Sequence, residues 1–219
     1  MSVRNVQAVR QRDFPNPWAL AVFIALVLLL ILALDRRVTQ LFSTHSGLLY
    51  EVASVLTHLG EVPWSLGPPA LVFLVARYVL RRPGLATRAL FVFASVAASG
   101  LLVDVVKALV GRARPGLWLE EGIYGFFFLR LTTVYQSFPS GHTACASGAC
   151  FALAALAPCY RRRLMVAGLL LGLTRVVVTA HYLSDVLCAA ALSLLVVSLL
   201  RRQFARRGWL FAGEDARQG

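Results

Sequence analysis

Residues 138 to 143 read FPSGHT and join a polar loop to a strongly apolar run. Pro139 stops the preceding structure, Ser140 is suited to cap a helix, and Gly141 lets a ligand approach the backbone closely. The free N–H groups and the dipole of a helix that starts here favour an anion, and His142 in its first turn can donate a proton. The stretch predicts a helix N-terminus that faces an anion, although taken alone it fits an ordinary helix start equally well.

The composition is that of a membrane protein. Of the 219 residues, 58% are hydrophobic and only 15% are charged, whereas about a quarter of the residues in a soluble domain are charged. The formal net charge of +12 could indicate nucleic-acid binding. The arginines, however, lie in clusters between apolar runs and not along one polar face. We therefore expect the bilayer as a partner, and no nucleic acid.

Six apolar runs predict an all-α fold, a polytopic bundle of six transmembrane helices. Each run has about the length that a helix needs to cross the hydrocarbon core. Residues 35–63 mix polar and apolar positions and predict a short helix at the membrane surface. We assign residues 1–219 to a single domain whose motif-bearing core is residues 104–200. The apolar runs are residues 18–34, 64–80, 89–106, 142–158, 164–180 and 182–200.

The arginine-rich stretches predict the orientation of the bundle. Six spans put both basic termini on one side, together with residues 77–88 and 161–163. By the positive-inside rule this side is cytoplasmic. The pair Arg36-Arg37 falls on the other side and counts against the assignment, but the other four stretches outweigh it. The polar motifs then lie near the outer face.

Two basic residues upstream of the FPSGHT stretch are suited to bind phosphate. Lys107 is the only lysine among 22 basic residues, which indicates a need for a compact ammonium group. Arg114, followed by Pro115, supplies a planar guanidinium that can hold two oxygens of one phosphate. Arg112 is interpreted as a supporting or solvated charge. For Lys107 alone, chance is the alternative explanation.

A third polar cluster lies downstream of the stretch. His181 and Asp185 are four residues apart, so on a helix they share a face and the carboxylate can hold the imidazole in one tautomer. This arrangement suits an imidazole nucleophile or base, and Arg175 adds a phosphate clamp. Such a pair alone is more often an ordinary polar contact in a bundle, but three clusters at one membrane face favour a site. No cluster has metal-ligand spacing, so we expect no metal and no other cofactor.

With these clusters the chain resembles the type 2 phosphatidic acid phosphatase superfamily of membrane lipid phosphatases. The signatures are KALVGRARP at residues 107–115, PSGH at residues 139–142, and Thr174-Arg175 followed by His181 and Asp185. The resemblance covers residues 104–200. One departure is Thr174, where the family usually has serine. A hydroxyl is retained there, so we expect little loss.

The resemblance implies a membrane enzyme that needs no metal. It implies that His181 attacks phosphorus and forms a phosphohistidine, that Asp185 orients His181, and that His142 protonates the leaving group. It also implies that five residues neutralise the phosphate oxygens, the electrostatic contribution that dominates phosphoryl transfer. These residues are Lys107, Arg114, Ser140, Gly141 and Arg175.

The resemblance leaves the substrate open. We expect a lipid phosphate at the outer face of a bacterial inner membrane: undecaprenyl pyrophosphate, phosphatidylglycerophosphate, phosphatidic acid or a phosphate of lipid A. One alternative is a phosphotransferase that passes the phosphoryl group to a lipid or sugar. Another is a protein that binds anionic lipid without turnover. The aromatic-rich residues 115–138 are interpreted either as an element that admits a lipid sideways or as a simple anchor. The sequence gives no oligomeric state.

Overall fold

The structure, a computed structural model, describes residues 17–44 and 46–209. Within these ranges the chain is helical and forms no strand, apart from one isolated antiparallel bridge between Arg112 and Phe126. The all-α prediction is therefore confirmed. Part of the charge argument concerns arginines outside the described residues, namely Arg4, Arg10 and Arg12, and the end of the basic tail beyond residue 209.

Each of the six apolar runs forms a helix, and four of these helices are long and apolar enough to cross a membrane. The four are α1, α3, α4 and α8. Helices α6 and α7 are shorter, with 16 and 17 residues, so the count of six spans stays a prediction. The helices are α1 (Pro17–Phe42), α2 (Leu48–Leu56), α3 (Val62–Val79), α4 (Pro83–Val110), α5 (Pro115–Glu121), α6 (Gly141–Leu156), α7 (Arg161–Val177) and α8 (Leu183–Arg206).

Helix α1 continues beyond the end that its sequence suggests. The apolar run stops before Asp35, yet the helix passes through a π-helical turn at Leu30–Leu34 and ends only at Phe42. The carboxylate of Asp35 is fully buried. The apolar run therefore covers only part of this helix, because a charged residue can remain inside a helical bundle when other parts of the chain supply its partners.

Helix α2 is the short helix that the sequence predicts within residues 35–63, and its location at the membrane surface stays a prediction. Its apolar side chains are largely exposed, including Leu48 and Val55, as expected of a helix lying in the membrane interface. The turn Thr57–Gly60 then brings the chain against the start of α6. A Cβ atom at Gly60 would lie 2.8 Å from the carbonyl oxygen of His142, so only glycine permits this approach.

Helix α6 packs closely against its neighbours through small residues. A Cβ atom at Gly168 would lie 2.9 Å from Cys150, and one at Gly172 would lie 2.6 Å from Cγ2 of Thr143. Small residues allow helix backbones in membranes to approach in this way. The contacts fix the N-terminus of α6 beside the last turn of α7. At the other end of the bundle, a core of larger side chains includes Phe91 and Phe204.

The loop between α4 and α6 folds over the end of the bundle where α6 begins. Gly111 ends α4 with φ of +59°, and a Cβ there would lie 2.3 Å from the carbonyl oxygen of Phe127. Backbone hydrogen bonds then tie the loop to itself: Phe127 donates to Gly111 (2.7 Å), Arg114 to Val134 (2.8 Å) and Ser137 to Arg112 (3.0 Å). The ordered loop places its polar residues beside the start of α8.

Candidate active site

The N-terminus of α6 has the form that the FPSGHT stretch predicts. The side chain of Ser140 accepts a hydrogen bond from the backbone N–H of Thr143 at 3.4 Å, and the Thr143 hydroxyl donates to Ser140 Oγ at 2.9 Å. His142 lies in the first turn. The ammonium of Lys107 lies 3.0 Å from the position that a Cβ would occupy at Gly141. The last turn of α4 therefore brings its cation directly to the start of α6.

Two arginines approach the same end of the bundle from other elements. Arg114 immediately precedes α5, and Arg175 lies in the last turn of α7. Arg175 donates to the Thr57 hydroxyl at 2.9 Å. The buried Nε atoms of Arg114 and Arg175 have no hydrogen-bond partner among the described residues. Because buried donors normally have acceptors, these guanidinium groups are suited to take an anion from outside the chain.

Electrostatic interactions connect the three clusters that the sequence singles out. His142 interacts with Lys107, Arg175 and His181. Arg114 interacts with Lys107, Arg175 and His181 as well. The structure therefore brings residues from α4, the following loop, α6, α7 and the start of α8 to one place. Every predicted site residue lies at this end of the bundle.

His181 is buried at this site and has a defined tautomer. Its Nδ1 lies 2.7 Å from the carbonyl oxygen of Ser137. Because a carbonyl oxygen can only accept, Nδ1 donates its proton and Nε2 keeps a free lone pair. Burial lowers the pKa of His181 to about 4, although the nearby Asp185 acts in the opposite direction. The imidazole is therefore neutral at neutral pH, which is the state that a nucleophile requires.

Asp185 acts differently from the sequence prediction. His181 precedes α8 and Asp185 lies in its first turn, so the two do not share a helix face. The Asp185 carboxylate accepts from the Ser137 hydroxyl at 2.6 Å and from the backbone N–H of Tyr182 at 2.9 Å, whereas His181 Nδ1 is 3.7 Å away. Asp185 thus holds Ser137 through its hydroxyl and Tyr182 through its backbone N–H. The imidazole of His181 donates its hydrogen bond to the carbonyl of Ser137 and not to Asp185.

Arg112 is fully buried, so it is the supporting charge and not the solvated one of the two alternatives that the sequence left open. Its guanidinium donates to Asp185 at 2.5 Å and to Asp35 at 2.8 Å. It also lies 4.3 Å from the centre of the Tyr182 ring. The two carboxylates raise the pKa of Arg112 against the effect of burial. Arg112 therefore anchors the start of α8 to α1.

Sequence reasoning missed three residues that contact the site residues. Ser137 holds His181 and Asp185, Thr57 holds Arg175, and Asp35 holds Arg112. The only signal in the sequence was Asp35, a lone acid at the end of an apolar run. Nothing local distinguishes it from a boundary residue. Ser137 and Thr57 act through contacts that only the fold creates.

A groove of about 440 Å³ adjoins the Lys107 and His142 part of the site. It lies between the start of α3, the second half of α4 and the start of α6, and its lining includes Glu61, Val62 and Asp104. Neither His181 nor the two arginines of the site line it. None of its lining residues belongs to the aromatic-rich loop. That loop instead exposes apolar side chains elsewhere on the surface, among them Phe128, Leu129 and Leu131.

Comparisons with known proteins agree with this arrangement. The model of the PAP2 superfamily matches residues 88–209, which carry all three clusters. A lipid A 1-phosphatase of Rhizobium johnstonii is 32% identical over 209 residues, covering 90% of this chain and 85% of that protein. The crystal structure of LpxE from Aquifex aeolicus has a TM-score of 0.58 at 20% identity and covers 78% of this chain and 96% of that one.

A second solved structure has the same fold. It is the PAP2-type phosphatidylglycerolphosphate phosphatase of Bacillus subtilis, with a TM-score of 0.55 at 19% identity, covering 85% of this chain and 96% of that one. A neutral histidine and cations with unpartnered donors meet at one end of a helical bundle of this type. The family model matches residues 88–209, and the Rhizobium johnstonii protein aligns with 90% of the chain. Together with the geometry of the site, these matches show that the chain belongs to the PAP2 superfamily and is a membrane phosphatase, a hydrolase of phosphoric esters.

Proposed function

We propose that the protein removes the 1-phosphate of lipid A at the outer face of a bacterial inner membrane, through a phosphohistidine on His181. The observation that carries the mechanism is the geometry of His181, whose Nδ1 donates to the Ser137 carbonyl at 2.7 Å and whose Nε2 is free. The relative from Rhizobium johnstonii, named a lipid A 1-phosphatase, supports the choice of substrate. Undecaprenyl pyrophosphate, phosphatidylglycerophosphate and phosphatidic acid serve as comparison substrates in the test below.

In the first step, the negative charge of the bound phosphate lets His142 take up a proton from water, and Nε2 of His181 attacks phosphorus in line with the bond to the lipid oxygen. The N–P bond forms, the P–O bond breaks, and His142 gives this proton to the departing oxygen. Lys107, Arg114 and Arg175 neutralise the phosphate oxygens as their charge increases. Because these donors are already in place, they need little reorganisation during the reaction.

In the second step, water releases the phosphate. His142, which has lost its proton, accepts one from the water as its oxygen attacks phosphorus. The N–P bond breaks, and the electron pair returns to Nε2 of His181. Inorganic phosphate leaves and both imidazoles regain their starting states, so the cycle balances without a metal or another cofactor.

The lateral groove supports a lipid substrate. It reaches Lys107 and His142 from between α3 and α4, where Val62 and Trp64 expose their side chains. A headgroup phosphate can enter through this groove while the acyl chains stay in the bilayer. The aromatic-rich loop then serves as an anchor in the membrane interface.

The arrangement of the helices supports an outer-face site. Helix α4 has 28 residues, about 42 Å at 1.5 Å per residue, which exceeds the hydrocarbon thickness of about 30 Å. Arg81 and Arg82 precede this helix, and Lys107 lies near its other end. With the arginine-rich turns in the cytoplasm, the phosphatase site faces outward.

The substrate is tested by phosphate release from purified protein in detergent micelles. The panel contains lipid A with and without its 1-phosphate, phosphatidylglycerophosphate, phosphatidic acid and undecaprenyl pyrophosphate. We expect release from lipid A that carries the 1-phosphate, and unchanged rates in the presence of a chelator. Release only from another lipid would show that the substrate is wrong, and loss of activity in chelator would show that a metal is needed.

The roles of the two histidines are tested by comparing two substrates. His181→Ala removes the nucleophile, so turnover and the phosphoenzyme trapped by alkaline quench both disappear for every substrate. His142→Ala lowers lipid hydrolysis by about 10²- to 10⁴-fold, but less for an aryl phosphate whose acidic phenol leaves without a proton. The control is His58→Ala, since that ring is largely exposed and pairs with Glu61. Equal losses on both substrates for His142→Ala would contradict its role as the acid.

A further inference from the structure

Asp35 is a buried carboxylate in the membrane-spanning helix α1 that the reaction described above does not use. Its side chain has no solvent exposure. A charge at such a position is costly and persists only with specific partners. One oxygen accepts from the backbone N–H of Ser184 at 3.0 Å, and the other accepts from Arg112 at 2.8 Å and from the Ser184 hydroxyl.

These bonds connect Asp35 to the nucleophile through a continuous chain of contacts. Arg112 donates to Asp35 with one terminal nitrogen and to Asp185 with the other, and the second nitrogen also donates to Ser184 Oγ at 2.7 Å. Asp185 in turn accepts from the hydroxyl of Ser137, whose carbonyl holds His181. Every step is a hydrogen bond between buried groups.

The charges in this network decide how Asp185 acts on His181. Asp35, Arg112 and Asp185 carry −1, +1 and −1, a sum of −1. If Arg112 paired with Asp185 alone, the sum would be zero and Asp185 would lose most of its effect on a positive imidazole ring. The ring becomes positive when Nε2 bonds to phosphorus. The second carboxylate therefore leaves the network with a net negative charge beside the reacting histidine.

The backbone of α1 is adapted to this position. The π-helical turn Leu30–Leu34 ends directly before Asp35. The carbonyl oxygen of Ile31 within it accepts from the hydroxyl of Tyr124 at 2.5 Å, and Arg112 donates to the same hydroxyl at 2.8 Å. Such turns occur frequently at functional sites. Helix α1 is thus tied to the site at two consecutive turns.

We propose that Asp35 is a positioning residue for the phosphatase reaction, which holds Arg112 and Ser184 so that Asp185 stays oriented and negatively charged beside His181. The proposal rests on the proposed role of His181 as the nucleophile. Asp35 itself touches neither the phosphate nor the imidazole. Its effect should therefore fall on the rate of the chemical step and not on substrate binding.

The first test is the kinetics of Asp35→Asn. In either orientation the amide places an NH₂ group against a donor of Arg112 or Ser184, and the network becomes neutral. We expect kcat to fall about 10- to 100-fold, the range for supporting partners of a reactive centre, with KM unchanged because the phosphate-binding cations are untouched. Thr39→Val is the matched control, since Thr39 is buried one turn farther along α1. An unchanged kcat, or a change confined to KM, would overturn the proposal.

A second readout needs no substrate and separates this proposal from the proposed function. Nitrogen NMR of protein labelled with ¹⁵N-histidine reports the tautomer of His181, whose signals are identified by their loss in His181→Gln. In the wild type we expect a protonated Nδ1 and a free Nε2, and in Asp35→Asn a mixture of tautomers. If the wild type hydrolyses no lipid, the proposed function fails while this measurement still tests Asp35. Identical spectra for the two proteins would overturn the positioning role.

A double variant covers the case in which Asp35→Asn does not fold. Arg112→Gln alone leaves two carboxylates with a sum of −2, whereas Asp35→Asn with Arg112→Gln restores the sum to −1. We expect the double variant to be folded and to turn over faster than Arg112→Gln, a non-additivity that residues in one network show. Turnover equal to or below that of Arg112→Gln would refute the charge argument.

Discussion

Arg112 and Arg114 are two residues apart in the same loop, yet their surroundings are opposite. Arg112 donates four hydrogen bonds through its terminal nitrogens, two of them to carboxylates. The buried Nε of each arginine has no acceptor among the described residues, so the difference lies in the terminal nitrogens, and Arg114 forms no ion pair with a described residue. Burial lowers the pKa of Arg114, whereas carboxylates raise that of Arg112. The terminal nitrogens of Arg112 are thus engaged by the protein, and we call this arginine saturated, whereas the terminal nitrogens of Arg114 are left for a ligand.

The comparison teaches that residue type does not identify a ligand-binding cation. What identifies it is whether the terminal nitrogens of the guanidinium have partners within the protein. A saturated arginine contributes to stability, because its removal leaves buried carboxylates unpaired. An unsaturated arginine contributes to binding and catalysis, because its partner arrives with the substrate. The two kinds of contribution can be measured separately.

The largest expected effect is on stability, in Arg112→Gln. Removing one partner of a buried ion pair typically costs about 3–5 kcal/mol, and here two carboxylates lose their partner. Thermal or denaturant unfolding in detergent measures the change. Arg37→Gln is the control, because Arg37 is exposed at the same end of the bundle. If Arg112→Gln and Arg37→Gln were equally stable, Arg112 would have no structural role and would not differ from Arg114 in this respect.

Arg114→Gln should show the reverse pattern. Loss of one donor to a developing negative charge typically lowers kcat by about 10²- to 10³-fold. The midpoint of unfolding should stay at the wild-type value, since the side chain of Arg114 forms no hydrogen bond with a described residue. The measurement pairs phosphate release with a melting curve on the same sample. A large drop in melting temperature would mean that Arg114 is structural.

Vanadate sharpens the comparison without any turnover. As a phosphate-like anion it should fill the cationic site and raise the free energy of unfolding by about 2.7 kcal/mol at a concentration 100 times its Kd. At the same concentration the gain should be much smaller in Arg114→Gln. A full gain in Arg114→Gln would place the anion away from this guanidinium.

The change that is smallest near neutral pH is a pH dependence of stability that arises from His181. Its pKa is lowered by burial to about 4 in the folded protein, against about 6.5 for an ordinary histidine. Between these values the unfolded chain binds a proton that the folded one does not, so stability falls as the pH drops. The slope reaches about 1.4 kcal/mol per pH unit. His181→Gln should lose this contribution, and an unchanged slope in that variant would contradict the buried, neutral imidazole.

The sequence predicted local features well and distant partnerships poorly. The cap at Ser140, the helix starting beside His142 and the gathering of three clusters follow from residue types and helix spacing. The carbonyl of Ser137 beside His181 could not be predicted, because it depends on how the loop folds. The continuation of α1 beyond the first apolar run could not be predicted for a related reason. An acid at a helix end and an acid with partners 149 residues away look the same in the sequence.

The hydrogen bond between Asp35 and Ser184 has a consequence for the biosynthesis and membrane insertion of the protein. It joins α1 to α8, the first and the last of the long apolar helices described, across 149 residues. The N-terminal part of a chain is synthesised first, so Asp35 and Arg112 enter the membrane well before their partners in α8. Of the helices described, α8 is therefore the one that completes the hydrogen bonds around Asp35 and Arg112. A chain halted before α8 lacks these bonds.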